Sequence, residues 1–217
     1  MRSVLGPDRH PPATPVKGVL PLASDPLVLS AGGTSLTASH ATGALISETA
    51  WGLASGSPGN QSGSFQASGG GFSQLFARPA YQAGVPGIGA TRGVPDVSAD
   101  ASDRTSVAVV FSDGTQDTIQ GHGGTSASAP IWAAVIALAD QYAGRRLGLV
   151  NPAIYQIARG PHYRQAFHDI TSGDNSVQFP DATITGYQAA PGWDPVTGWG
   201  SPNAQVLIPL LAHDVTP

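Results

Sequence analysis

The residues from Thr125 to Tyr142 constrain the fold more than any other part of this 217-residue sequence. No polar residue occurs from Ala129 to Ala139, which predicts a helix that is apolar almost all round and therefore lies inside a domain. Pro130 falls in the first turn, where its missing N–H group is tolerated, and Gly144 is suited to end the helix. Together with short apolar strands elsewhere, this helix predicts an α/β sandwich.

A second clear pattern precedes the helix. Residues 106–111 are rich in β-branched side chains and predict a strand. Asp113 and Gly114 then favour a hairpin turn, and residues 116–120 are the expected return strand.

Three other segments predict further elements. Residues 26–31 predict a buried parallel strand that ends in a tight turn at Gly32-Gly33-Thr34, and residues 94–100 begin another strand. Residues 52–71 are rich in Gly and Ser, as linkers are. Because apolar residues follow at once, we expect instead a packed surface loop that continues into a short helix over residues 73–78.

Composition excludes several functional classes. The net charge is −4, and the one adjacent basic pair, Arg145-Arg146, is too small a cluster for a nucleic-acid partner. No run approaches the roughly 18 apolar residues of a membrane span, and residues 1–16 lack the apolar region of a secretory signal. Cysteine is absent, so the redox compartment stays undetermined.

Ser126 lies where the glycine-rich segment 121–124 meets the predicted helix. Glycines permit a tight turn, and the free N–H groups and positive dipole end of a helix stabilise an oxyanion that forms there. Ser126 is therefore a candidate nucleophile. The alternative is that Ser126 or Thr125 is only an N-cap.

The string Gly-Thr-Ser-Ala-Ser-Ala-Pro at residues 124–130 resembles the serine motif that subtilisin-like and sedolisin peptidases share. A subtilisin-like enzyme also needs a histidine in a characteristic motif, and none of the six histidines lies in one. His122 is close to Ser126 in sequence, so a subtilisin-like hydrolase that uses His122 remains an alternative.

The resemblance to sedolisins extends over most of the chain, from about Val19 to Leu211. It is carried by the serine motif and by residues 31–36, 48–51, 68–73, 79–82 and 92–101.

This resemblance implies that residues 19–213 are the C-terminal part of a sedolisin-type (serine-carboxyl) peptidase domain. Its fold would be α/β, a subtilisin-like parallel sheet flanked by helices, with the nucleophile helix at about 125–143. Residues 1–18 would be an irregular lead-in.

The resemblance further implies a serine-type endopeptidase that forms an acyl-enzyme on Ser126 and works best at acidic pH. Sedolisins use a glutamate base, an aspartate behind it and an oxyanion aspartate, and their motifs are not found here. We therefore expect the N-terminal part of the domain to be missing and the chain to be weakly active or inactive alone, since losing a triad member costs about 10⁴- to 10⁶-fold in rate.

The resemblance places an extended edge for a peptide or protein substrate at Ser68, Gly69, Gly70 and Gly71. Such relatives are typically extracellular, which is the expected location. A non-catalytic remnant that binds peptides or a partner chain is the alternative function. The missing N-terminal half would be one such partner, because a remnant exposes an open sheet edge and apolar surface.

In the segment from about 167 to 198, two well-separated Asp residues, Asp169 and Asp194, each lie near Gly-rich backbone. Calcium binds six to eight oxygens from carboxylates, carbonyls and water, although a pair of Asx turns would give the same pattern. The resemblance implies a Ca²⁺ site. Its ligands would be the carboxylates of Asp169 and Asp194 and the carbonyls of Ile170, Ala190 and Gly192.

Overall fold

The computed structural model describes residues 18–52, 66–179 and 182–214. The predicted lead-in, residues 1–18, lies outside these ranges except for Gly18, as does most of the Gly/Ser-rich segment that begins at residue 52.

The described residues form eleven strands, four α-helices and two short 3-10 helices, Leu22–Ser24 and Ala80–Gln82. The α-helices are α1 (Thr125–Ala143), α2 (Asn151–Arg159), α3 (Tyr163–Ala166) and α4 (Ala204–Asp214). The strands are β1 (Ala31–Ala38), β2 (Leu45–Ala50), β3 (Gly71–Ala77), β4 (Thr91–Val94), β5 (Val97–Asp100), β6 (Val107–Ser112), β7 (Asp117–His122), β8 (Phe167–His168), β9 (Val177–Phe179), β10 (Ala182–Ile184) and β11 (Ser201–Pro202). No helix among the described residues is long and apolar enough to span a membrane.

The central sheet has the order β2-β1-β5. β1 pairs in parallel with β5 and antiparallel with β2, so the sheet is mixed rather than wholly parallel. α1 packs against β5 and α4, and the core around Trp132, Ile154 and Leu207 lies between these elements. The α/β arrangement is confirmed.

The tight turn predicted at Gly32-Gly33-Thr34 was wrong. The structure starts β1 at Ala31 and continues it through Gly32 and Gly33, with no turn there. A Cβ on Gly33 would lie 2.6 Å from the Ala101 Cβ, and one on Gly32 would lie 2.7 Å from Pro95. These glycines are required for close packing rather than for backbone reversal.

The helix expected over residues 73–78 was also wrong, because this segment belongs to β3. Gly71 and Phe72 pair with Val94 and Gly93 of β4, and Ala77 pairs with Thr91. A pairing with a strand about twenty residues away overrides the local preference of the segment.

The hairpin prediction is confirmed by β6 and β7. Six residues on each strand pair, from Val107 with His122 to Ser112 with Asp117, and Asp113 accepts the turn's backbone N–H groups. The hairpin is nevertheless poorly covered, since Val110 and its partner Ile119 are 64% and 70% exposed. A two-stranded hairpin is marginally stable by itself in water.

The bounds of α1 agree with the sequence prediction, and Gly144 ends it in a left-handed conformation. Its full burial was wrong. Ser128, Trp132, Val135 and Ala139 face the core, but the opposite face is open and Leu138 is 51% exposed. Apolar periodicity cannot distinguish a helix covered on every side from one covered on one side.

A buried ion pair connects the core elements. Arg92 and Asp96 are both 0% exposed and are joined by two contacts of 2.6 Å. The Asp96 carboxylate also accepts hydrogen bonds from the Ser30 N–H, the Tyr155 hydroxyl and the Asn151 amide. Burial raises the pKa of Tyr155, and Asp96 raises it further, so its hydroxyl stays protonated.

We expect Asp96→Asn to lower the free energy of unfolding by about 3–5 kcal/mol, because it leaves the Arg92 charge buried without a partner. Urea denaturation monitored by tryptophan fluorescence measures this change. The matched control is Asp117→Asn on the exposed hairpin, which should stay within about 0.5 kcal/mol of wild type. Equal effects of the two variants would contradict the prediction.

Candidate active site

The loop before α1 is fixed by the end of β5. Gly124 donates its N–H to the carbonyl of Ala101 at 2.6 Å, and its φ of +79° requires glycine. A Cβ on Gly123 would clash with Asp103. These two glycines therefore let the chain turn closely around residues 101–103 and enter the helix.

Ser126 is exposed in the first turn of α1. The N-cap is Gly124, and no side chain caps the helix, so the N-cap alternative for Ser126 is wrong. Among the described residues, no hydrogen bond involves the Ser126 hydroxyl. The Ala127 N–H donates to the carbonyl of the N-cap Gly124 at 2.9 Å, and the first-turn N–H groups have no partner within the helix itself. A 19-residue helix directs its positive dipole end to this point.

An apolar groove of about 500 Å³ adjoins Ser126. We call it the α1 groove. Its apolar walls are formed by Val107, Val109, Ala127, Pro130, Ile131 and Ala134, and Ser126 and His122 also line it. Ala127, Ile131 and Ala134 follow helical spacing along the open face of α1.

Among the described residues, no side chain that could act as a base is hydrogen-bonded to the Ser126 hydroxyl. His122 lines the groove, but no hydrogen bond joins it to Ser126. Asp103 lies against Gly123, and Asp100, whose pKa is raised by burial, accepts hydrogen bonds from Thr105 and Leu36.

Glu48 is the one glutamate in the 217-residue sequence. Its side chain is 2% exposed and does not line the groove. It accepts hydrogen bonds from Thr34 and Ser201, both at 2.6 Å. Glu48 has no individual role predicted from its sequence context, although it is visibly the sole glutamate in the sequence.

The structure places Ser68 and Gly70 against the 195–196 backbone rather than in the α1 groove. Ser68 is 3% exposed; it accepts the N–H of Gly33 at 2.9 Å and donates to the carbonyl of Val196 at 2.7 Å. A Cβ on Gly70 would clash with the Pro195 carbonyl, whereas Gly69 is exposed and has open space around it. Gly71 begins β3. The substrate role of residues 68–71 stays a prediction.

The loop at residues 190–198 contacts both carboxylates predicted to bind calcium. The Gly192 N–H lies 3.1 Å from both carboxylate oxygens of Asp169, and the Ala190 N–H donates to Asp194 at 3.1 Å. Among the described residues, no backbone hydrogen bond ends on the carbonyl of Ile170, Ala190 or Gly192.

Asp194 is held rigidly. It is 2% exposed and accepts the N–H groups of Val196 and Thr197 and the Thr197 hydroxyl. Burial raises the pKa of Asp194, and these hydrogen bonds oppose the rise. Burial also raises the pKa of Tyr163, with Asp169 and then Asp194 adding to the effect.

The alternative of simple Asx turns holds for one neighbour. Asp174 accepts the N–H of Ser176, two residues on, as an aspartate in an Asx turn does. No cluster of three or more His, Cys, Asp or Glu side chains suited to a metal occurs in the described part of the chain. A calcium site here would therefore rely on backbone carbonyls beside two carboxylates.

Comparison with known proteins identifies the family. No protein-family model matches the chain. Kumamolisin of Bacillus sp. (strain MN-32) is 42% identical over 196 residues, which are 87% of this chain and 32% of kumamolisin. Sedolisin of Pseudomonas sp. (strain 101) is 35% identical over 182 residues, 82% of this chain and 28% of that protein.

The chain belongs to the sedolisin family. A solved structure of Pseudomonas sedolisin, a serine-carboxyl proteinase complexed with two molecules of pseudo-iodotyrostatin, superposes with a TM-score of 0.73 at 32% identity. The match covers 89% of this chain and 48% of that one. The family resemblance and the α/β fold expected from the sequence are thus confirmed, and the chain spans about a third of the length of the curated relatives it matches.

We expect Ser68→Ala to destabilise this sedolisin-family chain by about 1–3 kcal/mol, because it leaves the Gly33 N–H and the Val196 carbonyl buried without partners. The free energy of unfolding in urea measures the loss. Ser47→Ala, at an exposed position of β2, is the control and should be nearly neutral. A neutral Ser68→Ala would show that this hydroxyl is not needed for the fold.

Proposed function

We propose that this chain carries the nucleophile of a serine-type endopeptidase, with Ser126 attacking the scissile carbonyl of a peptide or protein substrate. One observation carries the proposal: an exposed serine hydroxyl without a hydrogen-bonding partner among the described residues lies at the N-terminus of a long helix. The family relationship supports it.

The chemistry at Ser126 follows from its position. Attack on the carbonyl carbon gives a tetrahedral oxyanion, which the Ser126 N–H and the helix dipole stabilise. Collapse of this intermediate leaves an acyl-enzyme on the Ser126 oxygen, and water then hydrolyses it. The hydroxyl proton has to pass to a base during the attack.

That base is proposed to come from outside the described residues. No acidic residue lines the α1 groove among those residues, and the sole glutamate, Glu48, already accepts three contacts elsewhere. Without a base, the rate falls by about 10⁴- to 10⁶-fold, so weak activity is expected of these residues alone.

The proposed partner is a sedolisin-type N-terminal half that covers the α1 groove and brings a carboxylate to Ser126. The apolar stripe on α1 and the two valines of β6 fit an apolar helix face. The match covers 48% of the solved sedolisin chain. Carboxyl groups in these roles imply an acidic optimum, since an oxyanion aspartate must be protonated to donate.

Hydrolysis of an unstructured protein substrate across about pH 3 to 8 tests the nucleophile. We expect any hydrolysis to be fastest at acidic pH, at least about 10⁴-fold slower than that of kumamolisin assayed in parallel, and abolished by Ser126→Ala. The control is Asp103→Asn, which changes the acidic side chain against Gly123 and should leave the rate unchanged. Full activity in Ser126→Ala would refute the nucleophile, and loss of activity in Asp103→Asn would identify Asp103 as the base.

We also propose a calcium site at Asp169, Ile170, Ala190, Gly192 and Asp194. The residues fit the ion: both carboxylates accept N–H groups of the 190–198 loop, and the carbonyls of Ile170, Ala190 and Gly192 accept no backbone hydrogen bond in the described part of the chain. All donors are oxygen, which calcium prefers. The ion would neutralise two carboxylates and hold the segment 167–198 in place.

Calcium should raise the melting temperature by about 5–10 °C at a concentration 100-fold above Kd, since binding then contributes about 2.7 kcal/mol. EDTA should reverse the rise, and Asp169→Asn should abolish most of it. Asp174→Asn, which changes a turn residue within the segment that is not a predicted ligand, is the matched control and should retain the response. A wild-type melting temperature that does not respond to calcium or EDTA would count against the site.

An extracellular location is part of the proposal. The second candidate function is a non-catalytic module that binds peptides or a partner chain, which the open α1 groove and the exposed hairpin favour. The comparison of wild type with Ser126→Ala separates the two functions, because a binding module retains its partner affinity when the hydroxyl is removed.

A further inference from the structure

We propose that Glu48 is a positioning residue that holds the Ser126 loop and the segment 167–198 in a fixed relation. The inference rests on the proposed function, because it concerns the proposed nucleophile and the proposed calcium site. It goes beyond that function in assigning a role to a carboxylate that neither site contains.

Three separate strands converge on the Glu48 carboxylate. Thr34 of β1 donates to one oxygen at 2.6 Å. Ser201 of β11 donates to the other at 2.6 Å, and His168 Nδ1 of β8 lies 3.3 Å from that same oxygen. The side chain is 2% exposed. A carboxylate this deeply buried is costly unless it is hydrogen-bonded, so these contacts fix its position.

Thr34 connects Glu48 to the nucleophile loop. Its carbonyl accepts the N–H groups of Ala101 and Ser102 at 2.9 and 3.1 Å, and the Ala101 carbonyl accepts the Gly124 N–H at 2.6 Å. Gly124 is the N-cap of α1, two residues before Ser126. Three consecutive hydrogen bonds thus link the Glu48 carboxylate to the start of the nucleophile helix.

His168 and Ser201 connect Glu48 to the other segment. They pair with each other across β8 and β11, and His168 directly precedes Asp169. The Gly200 carbonyl, beside Ser201, accepts the Ser98 N–H of β5. Glu48 therefore joins the start of the 167–198 segment to the sheet that carries the Ser126 loop.

Glu48 does not itself act on substrate. It is absent from the lining of the α1 groove, and its oxygens are directed to Thr34, Ser201 and His168. Its effect on Ser126 would be transmitted through backbone position, which hydrogen exchange of individual amides reports.

The test compares Glu48→Gln with Glu48→Met in the full chain. Glutamine can still accept from Thr34, whereas methionine fills a similar volume but has only a weakly accepting sulfur. We expect Glu48→Met to speed exchange of the Ala101, Ser102 and Gly124 amides about tenfold, the effect of losing one charged hydrogen bond. Glu48→Gln should restore most of the protection. Ser47→Ala, the exposed neighbour in β2, is the control and should leave these amides unchanged.

If Glu48→Met does not fold, variants that each remove only one contact of Glu48 still decide the question. Thr34→Val should loosen Ala101, Ser102 and Gly124 but not Gly192, whose N–H contacts Asp169. Ser201→Ala should do the reverse. Unchanged exchange in Glu48→Met overturns the proposal, because Glu48 would then not position these amides. Equal protection in the Met and Gln variants also overturns it, because side-chain volume alone would then explain the role of Glu48.

Calcium titration provides the second readout. Glu48→Met should need about tenfold more calcium for the same rise in melting temperature, the lower end of losses on removing an outer partner of a metal site. A midpoint equal to that of wild type overturns the link to the 167–198 segment. If wild type itself shows no response to calcium, the proposed calcium site fails, and the exchange experiment still decides the role of Glu48.

Discussion

The Asp96 carboxylate joins elements that would otherwise have little reason to meet. Through five hydrogen bonds it connects the residue before β1, the β4 strand and helix α2. The backbone around it also holds the 190–198 loop, since the Trp193 indole donates to Pro95 and the Trp199 N–H donates to Asp96. A charge pair this deeply buried contributes little net stability by itself. It specifies one arrangement, because any other would leave a charge unpaired in the core.

Helix α1 has two different faces, and each serves a separate purpose. The face with Trp132 and Ala139 packs on β5 and α4, which fixes the direction in which the helix N-terminus points. The opposite face borders the α1 groove and ends at Ser126. The nucleophile is therefore oriented by the packed face and completed chemically, in our proposal, by what covers the open one. This division explains how the described residues can form an ordered serine loop although none of them supplies a base beside Ser126.

Local patterns predicted what local forces determine. Asp113-Gly114 forms the expected turn, Gly144 ends α1, and Ser126 lies at the helix start. Predictions failed where a distant partner decides. Gly33 was predicted in a turn, but it lies in β1 with Ala101 and Trp51 packed against it. Residues 73–78 were predicted as a helix, but residues 73–77 form part of β3, which pairs with β4. The contacts of Ser68 with Gly33 and Val196 span up to 128 positions in sequence, so the residues next to Ser68 in sequence do not predict them.

The position of Glu48 also allows local opening of the chain to be measured by proteolysis. It is the sole glutamate in the sequence and lies buried within β2. A protease that cleaves only after glutamate can therefore cut at one place, and the side chain that it must bind is 2% exposed in the folded chain. Where opening and closing are fast relative to cleavage, the rate of that single cut follows the population of the open form. Local opening at one strand, rather than exposure of the whole surface, then determines the rate at which such a protease cleaves the chain.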